Sequence, residues 1–382
     1  MAELPDIQMD LRPGFVEFGW GHPDLALLPL AGLQAAAATA LSAGNWQALA
    51  YGAAQGPGRL IALLCARLAG IDGRAMQPDQ LLITAGVSQA LDLVCDLCTQ
   101  PGDVALVESP VYHFGLRILR DHGLRLLPVA ADEDGLRLDA LEDALAQLHR
   151  TNQRPALLYT VPTFNNPTGR NLAAARRQPL MQLAAAHDLL VLEDDVYREL
   201  WFDTTPPSSL AHYGPSANIV RLGSFSKILA PGLRLGWLQA DQALVRKAAN
   251  SGLLTSGGGI NHLTAHMVAE YLHMGLLDEH VAGLRAVYRT RRDALVAALA
   301  HYLPPECRFE PPGGGFFIWL QLPEGMDSAA LLARAEAARV GYVPGTHFHI
   351  DDGGHRQLRL AFSLLSSPEM EEGARRLAEV LQ

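Results

Sequence analysis

The 382-residue chain is long for one hydrophobic core and comfortable for two. Its content of 49% hydrophobic and 18% charged residues excludes a disordered chain. The formal net charge of −10 argues against a nucleic-acid partner, because such a surface repels a phosphate backbone. A local basic pocket can still hold a small anion. No apolar run reaches the roughly 18 residues of a membrane helix. The opening MAELPDIQMDLRPG has neither the basic start nor the apolar stretch of a secretion signal. A cytoplasmic protein without membrane contact is expected.

Residues 1–30 are irregular and rich in Gly and Pro, and residues 31–45 have a helical pattern. From about 56 to 222, short apolar runs alternate with amphipathic stretches. The runs fall at 81–84, 104–108, 156–161, 189–193 and 219–222, with helical patterns at 88–98, 138–148 and 177–187. This rhythm predicts a mostly parallel sheet covered by helices. Residues 262–302 form a long helical pattern with a break near Gly275. Beyond it, 308–310, 316–320, 341–343 and 357–362 read as strands with helices between and after them, so a smaller α+β unit is expected from about 290 onward. Cys95 and Cys98 form a Cys-x-x-Cys, but Leu91, Val94, Cys95 and Cys98 share one helical stripe and no second Cys/His pair matches them. Core packing is the expected role.

The chemistry concentrates in Ser224-Phe225-Ser226-Lys227-Ile228-Leu229-Ala230-Pro231-Gly232-Leu233-Arg234-Leu235-Gly236-Trp237. A strand (219–222) precedes this loop and a strand-like run (233–238) follows it. Desolvation and a nearby cation lower a lysine's pKa and make its amine nucleophilic. Hydroxyls and a guanidinium suit a phosphate dianion. One loop thus offers an imine-forming amine, Lys227, and a phosphate clamp of Ser224, Ser226 and Arg234.

This segment resembles the lysine motif of fold-type I pyridoxal-phosphate (PLP) enzymes of the class I/II aminotransferases, closest to the branch with 2-aminoadipate and kynurenine aminotransferases and the MocR-type regulators. The resemblance covers the chain from about residue 18. It implies an α/β PLP-dependent transferase fold: a large domain with a mostly parallel seven-stranded sheet flanked by helices, plus a smaller α+β domain. The implied division is an arm and helix over 1–45, a PLP domain over 46–289 and a small domain over 290–382. The implied activity is transfer of the α-amino group of an L-amino acid to a 2-oxo acid, with Lys227 carrying PLP as a Schiff base and acting as general base.

Other motifs take their roles from the same resemblance. Asn166-Pro167-Thr168-Gly169, by itself a turn signal, places Asn166 as donor to the cofactor's phenolic oxygen and beside the substrate. In Leu192-Glu193-Asp194-Asp195-Val196-Tyr197, acids end a strand where a ligand crevice is expected. The Asp-x-x-Tyr spacing assigns Asp194 to the pyridine nitrogen and Tyr197 to the phenolic oxygen. Glu193 and Asp195, opposite Asp194 by strand alternation, are expected to be solvated or to act behind the site. In Thr84-Ala85-Gly86-Val87-Ser88-Gln89, a strand-to-helix corner suited to phosphate, Val87, Ser88 and Gln89 complete the phosphate cup. Tyr112, in Glu108-Ser109-Pro110-Val111-Tyr112, matches the aromatic that stacks on the ring. Tyr51, in Tyr51-Gly52-Ala53-Ala54-Gln55-Gly56, matches the tyrosine that reaches the phosphate of a neighbouring subunit, which implies a homodimer with shared sites. Arg359, in Gln357-Leu358-Arg359-Leu360-Ala361-Phe362-Ser363, matches the arginine that grips the substrate α-carboxylate by a bidentate fork. Gly21-His22-Pro23-Asp24 resembles the segment lying over the site, with Gly21 at the substrate.

His347, His349, Asp351, Asp352 and His355 are too loosely spaced for a metal site and read as a solvated loop. A lyase or racemase on the same scaffold, or a ligand-sensing module of the MocR type, would share these motifs. The acidic charge and the lack of a winged-helix segment before residue 18 weigh against the sensor.

Overall fold

In the computed structural model, which describes residues 7–9, 12–214 and 216–382, the expected alternation of strands and helices is realised. The first six residues of the expected N-terminal arm lie outside the described residues. In chain order the strands are β1 (Val16–Glu17), β2 (Leu81–Thr84), β3 (Val104–Ser109), β4 (Arg125–Asp132), β5 (Gly135–Leu136), β6 (Pro155–Thr160), β7 (Leu190–Asp194), β8 (Ile219–Ser224), β9 (Gly236–Gln239), β10 (Phe317–Gln321), β11 (Val340–Gly341), β12 (Val343–Pro344) and β13 (Gln357–Ala361). The first four α-helices are α1 (Leu30–Ala40), α2 (Gly58–Asp72), α3 (Val87–Cys98) and α4 (His113–Asp121).

Eight strands form one sheet in the order β2-β9-β8-β7-β6-β3-β4-β5. Strands β8, β7, β6, β3 and β4 are parallel neighbours, while β9 runs antiparallel between β2 and β8. The eighth strand, one more than expected, is the two-residue β5, which folds back on β4. Among the longer strands, β4 alone is missing from the apolar runs. Its sequence RLLPVAAD contains a proline and is mostly half-buried or exposed, so it lacks the continuous hydrophobic signal of its neighbours.

Alternation divides the strand side chains between two layers. Ala105 and Val107 of β3 join Tyr159 of β6 and the inner faces of α3 and α4. Val104 and Leu106 pack on the other side with Leu158 and the helices Leu138–Arg150 and Ala174–Ala186. Cys95 is buried in the first layer and Cys98 packs at its margin, as the helical stripe predicts. Helices His262–His273 and Leu276–Tyr302 flank Gly275, which adopts φ +73°. The second of these helices runs unbroken through residue 290, where the small unit was expected to begin.

Beyond that helix, β10, β13 and β12 form an antiparallel sheet, and β11 pairs in parallel with β1 of the N-terminal segment. Two expectations fail here. The expected strand 308–310 is a single bridge from Arg308 to Gln321, because Pro311 and Pro312 follow and cannot donate to a ladder. The expected strand 341–343 is split at Tyr342, one half pairing with β1 and the other with β13.

Sheet order reverses between β6 and β3, so a crevice opens at the carboxyl ends of the central strands. Below that crevice, on the far side of β7, lies a buried ion network. Asp195 pairs with Arg198 and Arg221, and Arg221 also pairs with Asp72 at the end of α2. Glu193 accepts from the backbone amides of Leu210 and Ala211. Both acids are fully buried, which corrects the expectation that they could be solvated. Removing the Arg221 guanidinium leaves the buried Asp72 without its ion pair and Asp195 with Arg198 alone. We therefore expect Arg221→Met to lower unfolding free energy by about 3–5 kcal/mol, read as a reduced urea midpoint.

Candidate active site

Strand β8 ends at Ser224, and the next residues turn tightly. The amide of Ser226 donates to Ser224 Oγ at 3.0 Å, which fixes the Ser224 hydroxyl in the turn. Arg234 occupies the left-handed region (φ +46°), held there by the side-chain amide of Asn261 on its carbonyl. Its guanidinium reaches Ser226 Oγ (3.5 Å) and the Ala85 carbonyl (3.3 Å). That carbonyl begins the corner into α3. Gly86 makes the corner with φ +86°, and a Cβ there would stand 3.0 Å from the Arg234 guanidinium. The amides of Val87, Ser88 and Gln89 open α3 and lack intrahelical partners by virtue of position. Gln89 also steadies the corner by accepting from the Ala85 amide at 3.2 Å. Two hydroxyls, a guanidinium and a helix N-terminus thus converge into one anion cradle.

Lys227 lies next to this cradle. Its Nζ donates to the Gly21 carbonyl at 3.1 Å and stands 5.8 Å from the Phe316 ring centroid. Burial, then the Arg359 and Arg234 charges, push its pKa down to about 8 against the opposing pull of Asp194. Gly21 must be a glycine here, because a Cβ would stand 2.6 Å from the Phe317 ring.

Asp194 ends β7 inside the crevice. Oδ2 accepts from the Tyr159 hydroxyl at 2.8 Å, whereas Oδ1 is buried with no partner. Burial raises the carboxyl pKa to about 6. Tyr112, the residue before α4, is mostly shielded from water and sits within the fields of Asp194, Arg359 and Arg234. Burial, then Asp194, push its hydroxyl up to about 12.

Asn166 sits in a tight loop in which the Gly169 amide donates to the Asn165 carbonyl at 2.7 Å. Its Oδ1 accepts from Arg359 Nη1 at 2.8 Å, and its side chain lies beside that of Tyr197. Arg359 stands on β13 between Leu358 and Leu360, with its guanidinium 4.2 Å from the Phe317 ring centroid and 5.0 Å from that of Phe348. Nη2 donates to the Gly19 carbonyl at 2.6 Å, and Nε is buried without a partner. Burial lowers its pKa to about 10, which leaves it charged at neutral pH.

Of the residues singled out from sequence, Lys227, Asp194, Tyr197, Asn166, Tyr112, Arg234, Ser224, Ser226, Val87, Ser88, Gln89, Arg359 and Gly21 line or border this crevice. Tyr51 does not join it within the chain; it is 89% exposed. The expected solvated loop near 347–355 is partly wrong. Phe348 is wholly buried against His113, Trp319 and Arg359, because it forms a wall of the guanidinium site. Among the described residues, no group of three or more His, Cys, Asp or Glu is arranged for a metal.

Three site residues escaped sequence reasoning. Tyr159 could have been flagged as a tyrosine in an aliphatic strand, where a hydroxyl needs a partner. Glu108 ends β3 and accepts from Thr160 Oγ1 (2.7 Å) and the Val161 amide (3.0 Å), with burial raising its pKa to about 7. His22 faces Lys227 and Arg359; burial and those charges lower its pKa to about 4, so its imidazole is neutral. Neither carried a local signal, since both environments come from distant elements.

The residues present fit pyridoxal phosphate: an anion cradle suits its phosphate, the unpartnered Asp194 Oδ1 suits a ring N–H, and a lysine of lowered pKa suits its aldehyde. This combination, at the carboxyl ends of a helix-covered parallel sheet, defines a PLP-dependent enzyme of fold type I. The family described as "Aminotransferase class I and II" matches residues 7–377, and the chain belongs to it. It is an aminotransferase with PLP as cofactor. A 2-aminoadipate transaminase of Thermus thermophilus is 35% identical over 381 residues, 98% of this chain and 92% of that protein. An aromatic-amino-acid aminotransferase of Thermococcus litoralis is 34% identical over 305 residues, 79% of this chain and 72% of that protein. The crystal structure of a Pyrococcus horikoshii kynurenine aminotransferase in complex with PMP superposes with a TM-score of 0.91 at 31% identity, covering 96% of this chain and 90% of that one.

The chain has only two lysines, Lys227 and the exposed Lys247. Acetylation of the cofactor-free protein across a pH series, with mass-spectrometric readout, should show Lys227 reaching half its maximal reactivity near pH 8. The reactive neutral amine accumulates above that pH, and Lys247 serves as internal reference.

Proposed function

We propose that this enzyme moves the α-amino group of an L-amino acid to a 2-oxo acid, either 2-oxoglutarate or pyruvate, using Lys227 as both cofactor anchor and proton carrier. The observation that supports it best is the meeting, in one crevice, of a lysine with lowered pKa, an unpartnered buried carboxylate oxygen and an arginine able to grip a carboxylate.

Bound PLP supplies an electron sink for the pair left at the substrate α-carbon. Asp194 Oδ1 would accept from the ring N–H and keep that nitrogen protonated. Asn166 and Tyr197 would donate to the phenolic oxygen. Ser224, Ser226, Arg234 and the amides of Val87, Ser88 and Gln89 would hold the phosphate, and Tyr112 would cover the ring face. Arg359 gives up its bond to the Gly19 carbonyl and binds the substrate α-carboxylate by a two-point fork beside Asn166, which points the α-hydrogen toward Lys227. Lys227 Nζ, freed from the cofactor by the substrate amine, would then take that proton from the α-carbon and hold it inside the crevice. Gly21 and His22 close the crevice against water.

We place the second half of the phosphate site in a homodimer. Trp46, Leu49, Tyr51 and Leu253 are 69%, 72%, 89% and 68% exposed, an unusual density of large apolar side chains for a free surface. Helix His262–His273 brings Trp46–Leu49 together with Leu263. In such a dimer Tyr51 reaches the partner's phosphate site. The division into 1–45, 46–289 and 290–382 is kept, with the N-terminal segment tied to the small unit through the β1–β11 pairing. No helix among the described residues is long and apolar enough to cross a membrane.

The purified protein with PLP should absorb in the ~400 nm region, and borohydride should fix that label on Lys227. An amino acid alone should bleach the band and a 2-oxo acid should restore it. Lys227→Ala should abolish all three responses. Continued release of pyruvate from an amino acid without an acceptor, beyond one equivalent per site, would instead assign a lyase, and binding without turnover a sensor. Arg359→Leu removes charge-assisted bonds worth about 3 kcal/mol, so KM for both amino and oxo acids should rise roughly 100-fold. Sedimentation should give twice the chain mass; a monomer would remove Tyr51 from the site.

A further inference from the structure

The two oxygens of Asp194 have different surroundings. Oδ2 accepts from the Tyr159 hydroxyl at 2.8 Å, and Oδ1 is buried with nothing to accept from. Tyr159 belongs to β6, next to β7 in the sheet, and its ring is wholly buried in the layer beneath α3 and α4. Burial and the Asp194 charge push its pKa well above the usual phenol value, so the hydroxyl remains a donor.

The hydroxyl end of the same ring is also constrained by Gly115 of α4. A Cβ at Gly115 would stand 2.7 Å from the Tyr159 hydroxyl and 2.8 Å from two of its ring carbons. Only a residue without a side chain lets α4 lie this close. The residue that leads into α4 is Tyr112, the aromatic assigned to the cofactor's ring face. Tyr159 is therefore wedged between the carboxylate at the ring nitrogen and the helix that carries the stacking residue.

We propose that Tyr159 is a positioning residue. It holds the Asp194 carboxylate so that Oδ1 meets the cofactor's ring nitrogen, and its packing on Gly115 sets how closely Tyr112 approaches the ring. The inference rests on the reading that Asp194 binds that nitrogen. Without the hydroxyl, the carboxylate is free to turn, both oxygens compete for one donor, and the bond that favours its charged form is lost. Asp194 then keeps the ring nitrogen protonated less well.

The test compares wild type, Tyr159→Phe, Gly115→Ala and Asp194→Asn as holoenzymes. The readouts are the PLP dissociation constant by equilibrium dialysis, the pH titration of the ~400 nm band, thermal midpoint, and kcat and KM separately. Tyr159→Phe should weaken PLP binding and lower kcat by about tenfold each, displace the absorption titration, and leave KM for the 2-oxo acid within about twofold, since Arg359 is untouched. Gly115→Ala should shift the same quantities in the same direction with the hydroxyl still present. If Tyr159→Phe keeps the wild-type dissociation constant and titration while Asp194→Asn loses both, Tyr159 does not position the carboxylate and the proposal falls alone. If Asp194→Asn also keeps both, the assignment of Asp194 to the ring nitrogen is wrong and the proposal falls with it. Should Tyr159→Phe fail to fold, Gly115→Ala decides: the same shifts support the proposal and wild-type values overturn it.

Discussion

Three consecutive carboxylates, Glu193, Asp194 and Asp195, are buried at the end of one strand, and the structure around β7 answers that constraint. A buried acid without partners would take up a proton or unfold its surroundings. Strand alternation sends the three to opposite faces. Asp195 meets Arg198 and Arg221, whose charges, together with that of Arg177, keep its pKa below the usual carboxylate value despite burial. Glu193 relies on amides of the segment Leu210–Tyr213. Asp194 receives one bond from Tyr159 and is left one donor short. That deficit is costly in a folded protein and is the kind of imbalance a bound ligand resolves.

The same network couples the site to the scaffold. Arg221 links β8, which ends at the Lys227 loop, to α2 through Asp72. Arg198 donates to Thr163 Oγ1, and Arg177 to the Pro162 carbonyl, at the base of the loop that holds Asn166. Glu108 binds the same loop from β3 through Thr160 and Val161. Side chains that line the crevice are thus fixed by buried charges one layer beneath them, close to rigid strand ends.

What the sequence makes legible follows from how local each feature is. The Ser224–Arg234 loop carries its anchor, hydroxyls and guanidinium within eleven residues, so its chemistry can be read without a fold. Aliphatic strands buried on both faces announce themselves. Strand β4 does not, because half of its surface is wet and Pro128 interrupts it. The burial of Glu193 and Asp195 depends on arginines contributed by other elements, and strand alternation alone predicts their direction but not their partners. Tyr159, Glu108 and Phe348 gain their roles only when β6, β3 and the segment after β12 are brought together. Asp194 is distinguishable from Asp195 in the sequence only by resemblance; the structure supplies the physical difference, for each keeps one unpartnered oxygen, but Asp195 is neutralised by Arg198 and Arg221 behind the strand whereas Asp194 accepts from the neutral Tyr159 hydroxyl and faces the crevice.

Charge balance in the crevice explains how a protein of net charge −10 holds anionic ligands. Lys227, Arg234 and Arg359 face one carboxylate, Asp194, so the crevice is locally positive within an acidic surface. Low-dielectric walls of Phe316, Phe317 and Phe348 concentrate that field. The surplus has two consequences. It lowers the Lys227 pKa, since each added cation disfavours an ammonium, and it supplies two separated positive sites, Arg234 at the cradle and Arg359 at Asn166. A phosphate on the first and a substrate carboxylate on the second would neutralise the excess one at a time. Filling the cradle relieves part of the repulsion on Lys227, while Arg359 stays free to recognise whichever carboxylate arrives.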